Sequence, residues 1–130
     1  MSFMLGLKSK MKLSGVHPDL VKVVNLAITL CDIDFTVIEG VRSVARQREL
    51  FAKGATTTMR SRHIHGFAVD LAPVVGGQVR WDWPLFDHIE KAMKTASAKL
   101  SVPIEWGGDW TSFKDGPHWQ LPHGKYPDPK

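Results

Sequence analysis

Ser61-Arg62-His63-Ile64-His65-Gly66-Phe67-Ala68-Val69-Asp70-Leu71-Ala72 is the stretch whose conformation decides the fold. From Phe67 the side chains alternate, with Phe67, Val69 and Leu71 on one side and Ala68, Asp70 and Ala72 on the other, the two-residue period of a β-strand. Asp70 is then the one charge on a strand face of small residues. A continuous helix would hold His63 and Asp70 roughly 10 Å apart along its axis. A turn at Gly66 that feeds a strand lets the two side chains approach each other.

Downstream, Gly76-Gly77 marks a turn, and Trp83-Pro84 opens a long helix with an apolar stripe of Leu85, Ile89, Ala92, Met93, Ala96 and Leu100. Ile104 to Trp106, and His118 to Leu121 after Pro117, read as two short strands, with Trp119 facing the core. The segment from Pro122 is rich in Pro and Lys and reads as a loose tail. Upstream, Ala55 to Arg62 is polar and without period, a surface loop. Ser43 caps a helix that runs through Leu50 and Phe51 and stops near Gly54. Phe35 to Ile38 is a short strand ending at Gly40. His17-Pro18 opens a helix with Leu20, Val23, Val24, Ala27, Leu30 and Cys31 at helical spacing. With no repeat or linker, the chain reads as a single domain over 1–130, with a core of about 16–121 and a tail of 122–130.

The 130 residues suit one compact domain, since single cores usually serve about 100 to 150 residues. A hydrophobic share of 43% beside 23% charged residues excludes a disordered or fibrous chain. The net charge of +4 favours polyanions such as wall polymers, nucleic acid or anionic lipid. Cys31 is the only cysteine, so neither an intramolecular disulfide nor a thiolate zinc cluster can form, and it reads as a packed, inert thiol. Met1 to Leu7 lacks a basic n-region and a cleavage signature, and no run approaches the ~18 apolar residues of a membrane span. A protein made and held in the cytoplasm, without stable membrane insertion, is the expectation.

His63, Asp70 and His118 can form a metal site of the His/Asp/His kind. Two neutral imidazoles and one carboxylate would leave net positive charge on Zn²⁺ and an open fourth position, as catalysis needs. Asp115, three residues before His118 across a Gly-Pro bend, is the candidate general base. Arg42, between the Gly40 turn and the Ser43 cap, could stabilise a developing oxyanion. Each also has an ordinary reading: His63 a loop histidine, Asp70 a strand carboxylate paired to Arg, Asp115 a turn former, Arg42 a solvated charge. His65 would point away from His63 in an extended chain, His123 lies in the tail, His88 on the polar side of the long helix, and His17 at a cap. Asp109 is a rival base, although its flanking tryptophans suggest a cleft wall.

The pattern Ser61-x-His63-x-x-Gly66-x-Ala68-x-Asp70 resembles the zinc signature of VanY-type D-alanyl-D-alanine carboxypeptidases and their phage endolysin relatives. The resemblance continues in order from about Val16 to Leu121. Gly40-Val41-Arg42-Ser43 with Gln47 and Leu50 is similar to the family's arginine segment. Trp106-Gly107-Gly108-Asp109-Trp110, leading to Lys114-Asp115-x-Pro117-His118, is similar to its closing segment. This implies a small single α+β domain with packed helices and an antiparallel sheet that carries the site. It also implies zinc on His63, Asp70 and His118, Asp115 as acid/base, Arg42 as transition-state stabiliser, and Ser61, Asp109 and Trp110 as substrate contacts. Relatives often carry Glu where Asp115 stands, an arm one methylene longer.

Within the family, the chain is most similar to single-domain phage endolysins that cut the peptidoglycan stem peptide between L-Ala and D-Glu. That implies host lysis by a monomeric enzyme without nucleic-acid partners, released from the host cytoplasm to the wall by a holin. Two rivals predict different products. A D-Ala-D-Ala carboxypeptidase would release free D-Ala. A non-catalytic binding protein, using Lys8, Lys10, Lys12 and five tryptophans, would show salt-sensitive binding without metal.

Overall fold

The structure, a computed structural model, describes residues 3–55, 61–112 and 114–129. In chain order the elements are α1 (Leu7–Lys12), α2 (Pro18–Leu30), β1 (Asp34–Glu39), α3 (Val44–Ala52), β2 (Ala68–Val75), β3 (Gln78–Val79), α4 (Trp83–Leu100), β4 (Glu105–Trp106) and β5 (His118–Gln120). Short 3-10 turns occupy Arg62–His65 and Gly107–Asp109. All strand pairs are antiparallel, in the order β1-β2-β5-β4, with β3 folded back on β2 through Gly76-Gly77. This is the expected small α+β domain.

The sheet has one apolar face and one polar face because side chains alternate along each strand. Val69 on β2 pairs with Trp119 on β5, and Leu71 pairs with Val37 on β1, so these fully buried residues share the core side. Leu20, Val23, Val24, Ala27 and Ile28 of α2 join them, and α2 packs on α4. The α4 stripe is Phe86, Ile89, Ala92, Met93 and Ala96. Leu85 is half-buried and Leu100 exposed, which corrects both ends of the expected stripe. The helix starts with Phe86 inward and ends at Ser101, a left-handed residue with φ 57°. Cys31 is buried, and burial pushes its thiol up, as suits an inert packed group.

Helix α1 has no counterpart in the sequence reading, because six residues are too few for a periodic signal. Tertiary contacts hold it: Leu5 and Leu13 are buried at its ends, and Ser9 Oγ accepts a hydrogen bond from the Val37 N–H at 2.9 Å. The expected loop at Ala55 to Arg62 is corrected at its end, where Ser61 caps the 3-10 turn by accepting from the His63 N–H. Its residues 56–60 lie outside the described residues. The tail, expected to be loose, is tied down at two points. Tyr126 donates to Asp19 at 2.7 Å, and Asp128 pairs at 2.8 Å with Arg62, a buried guanidinium that needs a counter-charge.

Candidate active site

The site lies where the polar face of the sheet meets the Gly66 turn. Antiparallel register sets Asp70 directly opposite His118, so both side chains emerge on the same side. His63 arrives from the 3-10 turn, which Gly66 closes with φ 75°. A Cβ at Gly66 would stand 2.5 Å from the Gly15 carbonyl oxygen, so both conformation and space require glycine here. The turn is tied to the rest of the fold by the Arg42 N–H donating to the His63 carbonyl and the His17 N–H donating to the Gly66 carbonyl.

His63, Asp70 and His118 each offer one ligand atom, and these atoms lie within 4.8 Å of one another. Asp70 Oδ1 is 3.2 Å from His63 Nε2 and 3.3 Å from His118 Nδ1. The outer ring nitrogens are already used. His63 Nδ1 donates to the Gly40 carbonyl at 2.9 Å. Gln120 turns its amide nitrogen to Glu105 at 3.1 Å, so its oxygen faces His118 and accepts from Nε2 at 2.8 Å. Both imidazoles therefore present a lone pair to Asp70 when neutral, the tautomers a metal ion requires. Donor type, spacing and orientation all fit a metal ion.

Burial works to raise the Asp70 carboxyl, but hydrogen bonds from His118 and His63, with their charges, outweigh it and hold Asp70 well below the usual range. Burial likewise opposes charge on His118, yet its contact with Asp70 raises it. Asp70 thus stands as a carboxylate between two imidazoles, a set of donors that a cation can bridge once both rings are neutral. Asp115 lines the same cleft of about 850 Å³. Burial pushes its carboxyl up, and the Asp70 charge pushes in the same direction.

Gly107 places Asp115: its carbonyl accepts from the Asp115 N–H at 3.0 Å, and a Cβ there would come within 2.4 Å of the Asp115 carbonyl oxygen. Arg42 also lines the cleft. Its Nε and Nη2 grip Glu39 at 2.7 and 2.5 Å, Nη1 donates to Gln47 at 2.8 Å, and Nη2 stands 3.8 Å from Asp70. Trp110 stacks at an angle on His118, ring centroids 5.2 Å apart, and with Ser61 forms part of the cleft wall.

Asp109 is not among the residues that line the cleft: its carboxylate is exposed and pairs with Lys94 at 2.9 Å. The Gly107–Asp109 turn carries it toward α4, a rotation that its place between tryptophans does not reveal. His65 is exposed and outside the ligand set, His123 lines the cleft, and His17 caps α2 by accepting from the Asp19 N–H. The roles of Gln120, Glu105 and Glu39, and of Gly107 within the closing segment, are visible only in the structure. Gln120 carried a signal in the sequence, since it lies two residues from His118 on a strand and so shares its face.

Comparison with known proteins gives a consistent result. The family model of phage L-alanyl-D-glutamate peptidase matches residues 1–121. An L-alanyl-D-glutamate peptidase of Escherichia phage T5 is 35% identical over 97% of this chain and 94% of its own length. The peptidoglycan L-alanyl-D-glutamate endopeptidase CwlK of Bacillus subtilis is 33% identical over 68% of this chain and 61% of its own. Among solved structures, the Serratia marcescens L-Ala D-Glu endopeptidase ChiX superposes with a TM-score of 0.91 at 43% identity, covering 96% of this chain and 95% of that one. The chain therefore belongs to the phage L-alanyl-D-glutamate peptidase family.

Proposed function

We propose that this protein is a zinc-dependent L-alanyl-D-glutamate endopeptidase that cuts the stem peptide of bacterial peptidoglycan, acting as a phage endolysin. The observation that carries the reading is one cleft holding a His/Asp/His ligand set beside a carboxylate whose affinity for protons is raised. The names of the relatives support the choice of bond. His63, Asp70 and His118 would hold zinc, which when bound polarises a carbonyl and acidifies a water molecule.

Asp115 takes the proton of the attacking water and returns it to the leaving amine of D-Glu. Its raised affinity for protons makes it a better base than an exposed aspartate. Arg42, preset by Glu39 and Gln47, places positive charge at the cleft wall where the carbonyl oxygen becomes negative. Trp110 and Ser61 border the space left for the peptide. Lysis entails passage to the wall through a membrane opened by a partner such as a holin, with the enzyme working as a monomer on peptidoglycan and not on nucleic acid.

Mass spectrometry of digested peptidoglycan tests this. The expected products are new N-terminal D-Glu peptides, formed in zinc and lost in chelator. Free D-Ala as the product would make the enzyme a carboxypeptidase, and activity undiminished by removal of all metal would end the zinc reading.

A further inference from the structure

Helix α1 has two faces of opposite character. Ser9 is buried, with Oγ bonded to the Val37 N–H and 2.9 Å from Thr36 Oγ1, so that side is fixed to β1. With about 3.6 residues per turn, Leu7 and Met11 fall opposite Ser9, and Lys8 and Lys10 fall on either flank. Leu7 and Met11 are 74% and 66% exposed, and Met4 just ahead of the helix is 78% exposed. Lys8 and Lys10 are exposed, and among the described residues neither has an ion-pair partner. Lys12 differs, because its Nζ donates to the Ile38 carbonyl.

Single exposed apolar residues are ordinary, but Leu7 and Met11 on the side of a helix turned away from the core, with exposed Met4 just ahead of that helix, put three large ones within eight positions. Neither the fold nor the cleft uses it. We propose that this face docks the protein on an anionic lipid bilayer, with Met4, Leu7 and Met11 entering the headgroup layer and Lys8 and Lys10 meeting lipid phosphates. An apolar centre with a lysine on each flank is complementary to such a surface. A second copy is a poorer occupant, since a two-fold contact would bring the same lysines together. The mode is peripheral, as no helix among the described residues is long and apolar enough to cross a membrane. Vesicle binding requires no peptidase activity, so this inference and the proposed function fail separately.

The test is co-sedimentation of the full chain with phosphatidylglycerol–phosphatidylethanolamine vesicles and with phosphatidylcholine vesicles. Binding is expected to the first far more than to the second, and to fall as salt is added. Leu7→Glu/Met11→Glu and Lys8→Glu/Lys10→Glu should each lower partitioning by more than about tenfold. Melting temperature and digestion of suspended peptidoglycan should stay unchanged in both, because these side chains touch neither core nor cleft. The proposal is overturned if the wild-type chain ignores phosphatidylglycerol, or if both double variants bind as it does. It is also overturned if ultracentrifugation shows a dimer that Leu7→Glu/Met11→Glu abolishes, which would give the face to a second copy.

Discussion

Each imidazole of the candidate ligand set is aimed by the hydrogen bond on its far nitrogen, His63 by the Gly40 carbonyl and His118 by Gln120. His118→Ala removes a ligand, so metal binding and, through linkage, melting temperature should both fall. Asp115→Asn keeps the ligands and the side-chain size, so metal content should persist while lysis drops by about 10² to 10⁴-fold. Zinc analysis, thermal melts and peptidoglycan release on both variants decide the matter; near-normal lysis by Asp115→Asn would leave Asp115 as a turn residue only. Gln120→Leu tests the supporting shell. It frees His118 to rotate and change tautomer, and metal affinity should weaken by about 10- to 100-fold. Competition with a chelating dye measures this, and an unchanged affinity would show that β5 alone orients the ring.

At the level of elements, the site depends on a 3-10 turn that must stop abruptly and hand the chain to β2. Gly66 does this in the left-handed region while lying against the Gly15 carbonyl. Gly66→Ala adds a conformational penalty and a clash with backbone, so a loss of about 2 to 4 kcal/mol is expected. Denaturant unfolding of the metal-free protein would show it, and a loss below that range would mean that the segment around Gly15 gives way easily. The helices α2, α3 and α4 were legible in the sequence because caps and stripes are local: Pro at the first position, Ser43 bonded to the Arg46 N–H, apolar residues at helical spacing. Helix α1 was not, since what makes it a helix is Ser9 bonding to a strand 28 residues away.

Across the whole molecule, Arg62 closes the chain on itself, joining the site's own turn to the Leu121 carbonyl and to Asp128. The hydrogen bond from Arg62 holds the Asp128 carboxyl below the usual carboxylate range. A carboxyl lowered on folding contributes stability that is present above its unfolded value, about 3.9, and lost as pH falls through the folded value. Asp128→Asn should therefore lower the melting temperature near neutral pH, and the gap from the wild-type protein should close on acidification. Melts of both proteins across that range check this, and a gap that persists in acid would mean that the contact does not act through charge.

The sequence by itself determined the candidate ligand types, the strand carrying Asp70, the caps and stripes of the helices and the burial of the single thiol, because each is written in residues that are neighbours along the chain. It also carried the motif by which family membership was legible. Only the tertiary structure decided that Asp70 stands opposite His118, that Asp109 turns away to Lys94, that Gln120 and Glu105 back the ligand set, and that the tail is anchored at Asp128. Those depend on strand register and on pairings between residues far apart in the chain. The free energies that select them belong to packing of the whole core, which no local pattern encodes.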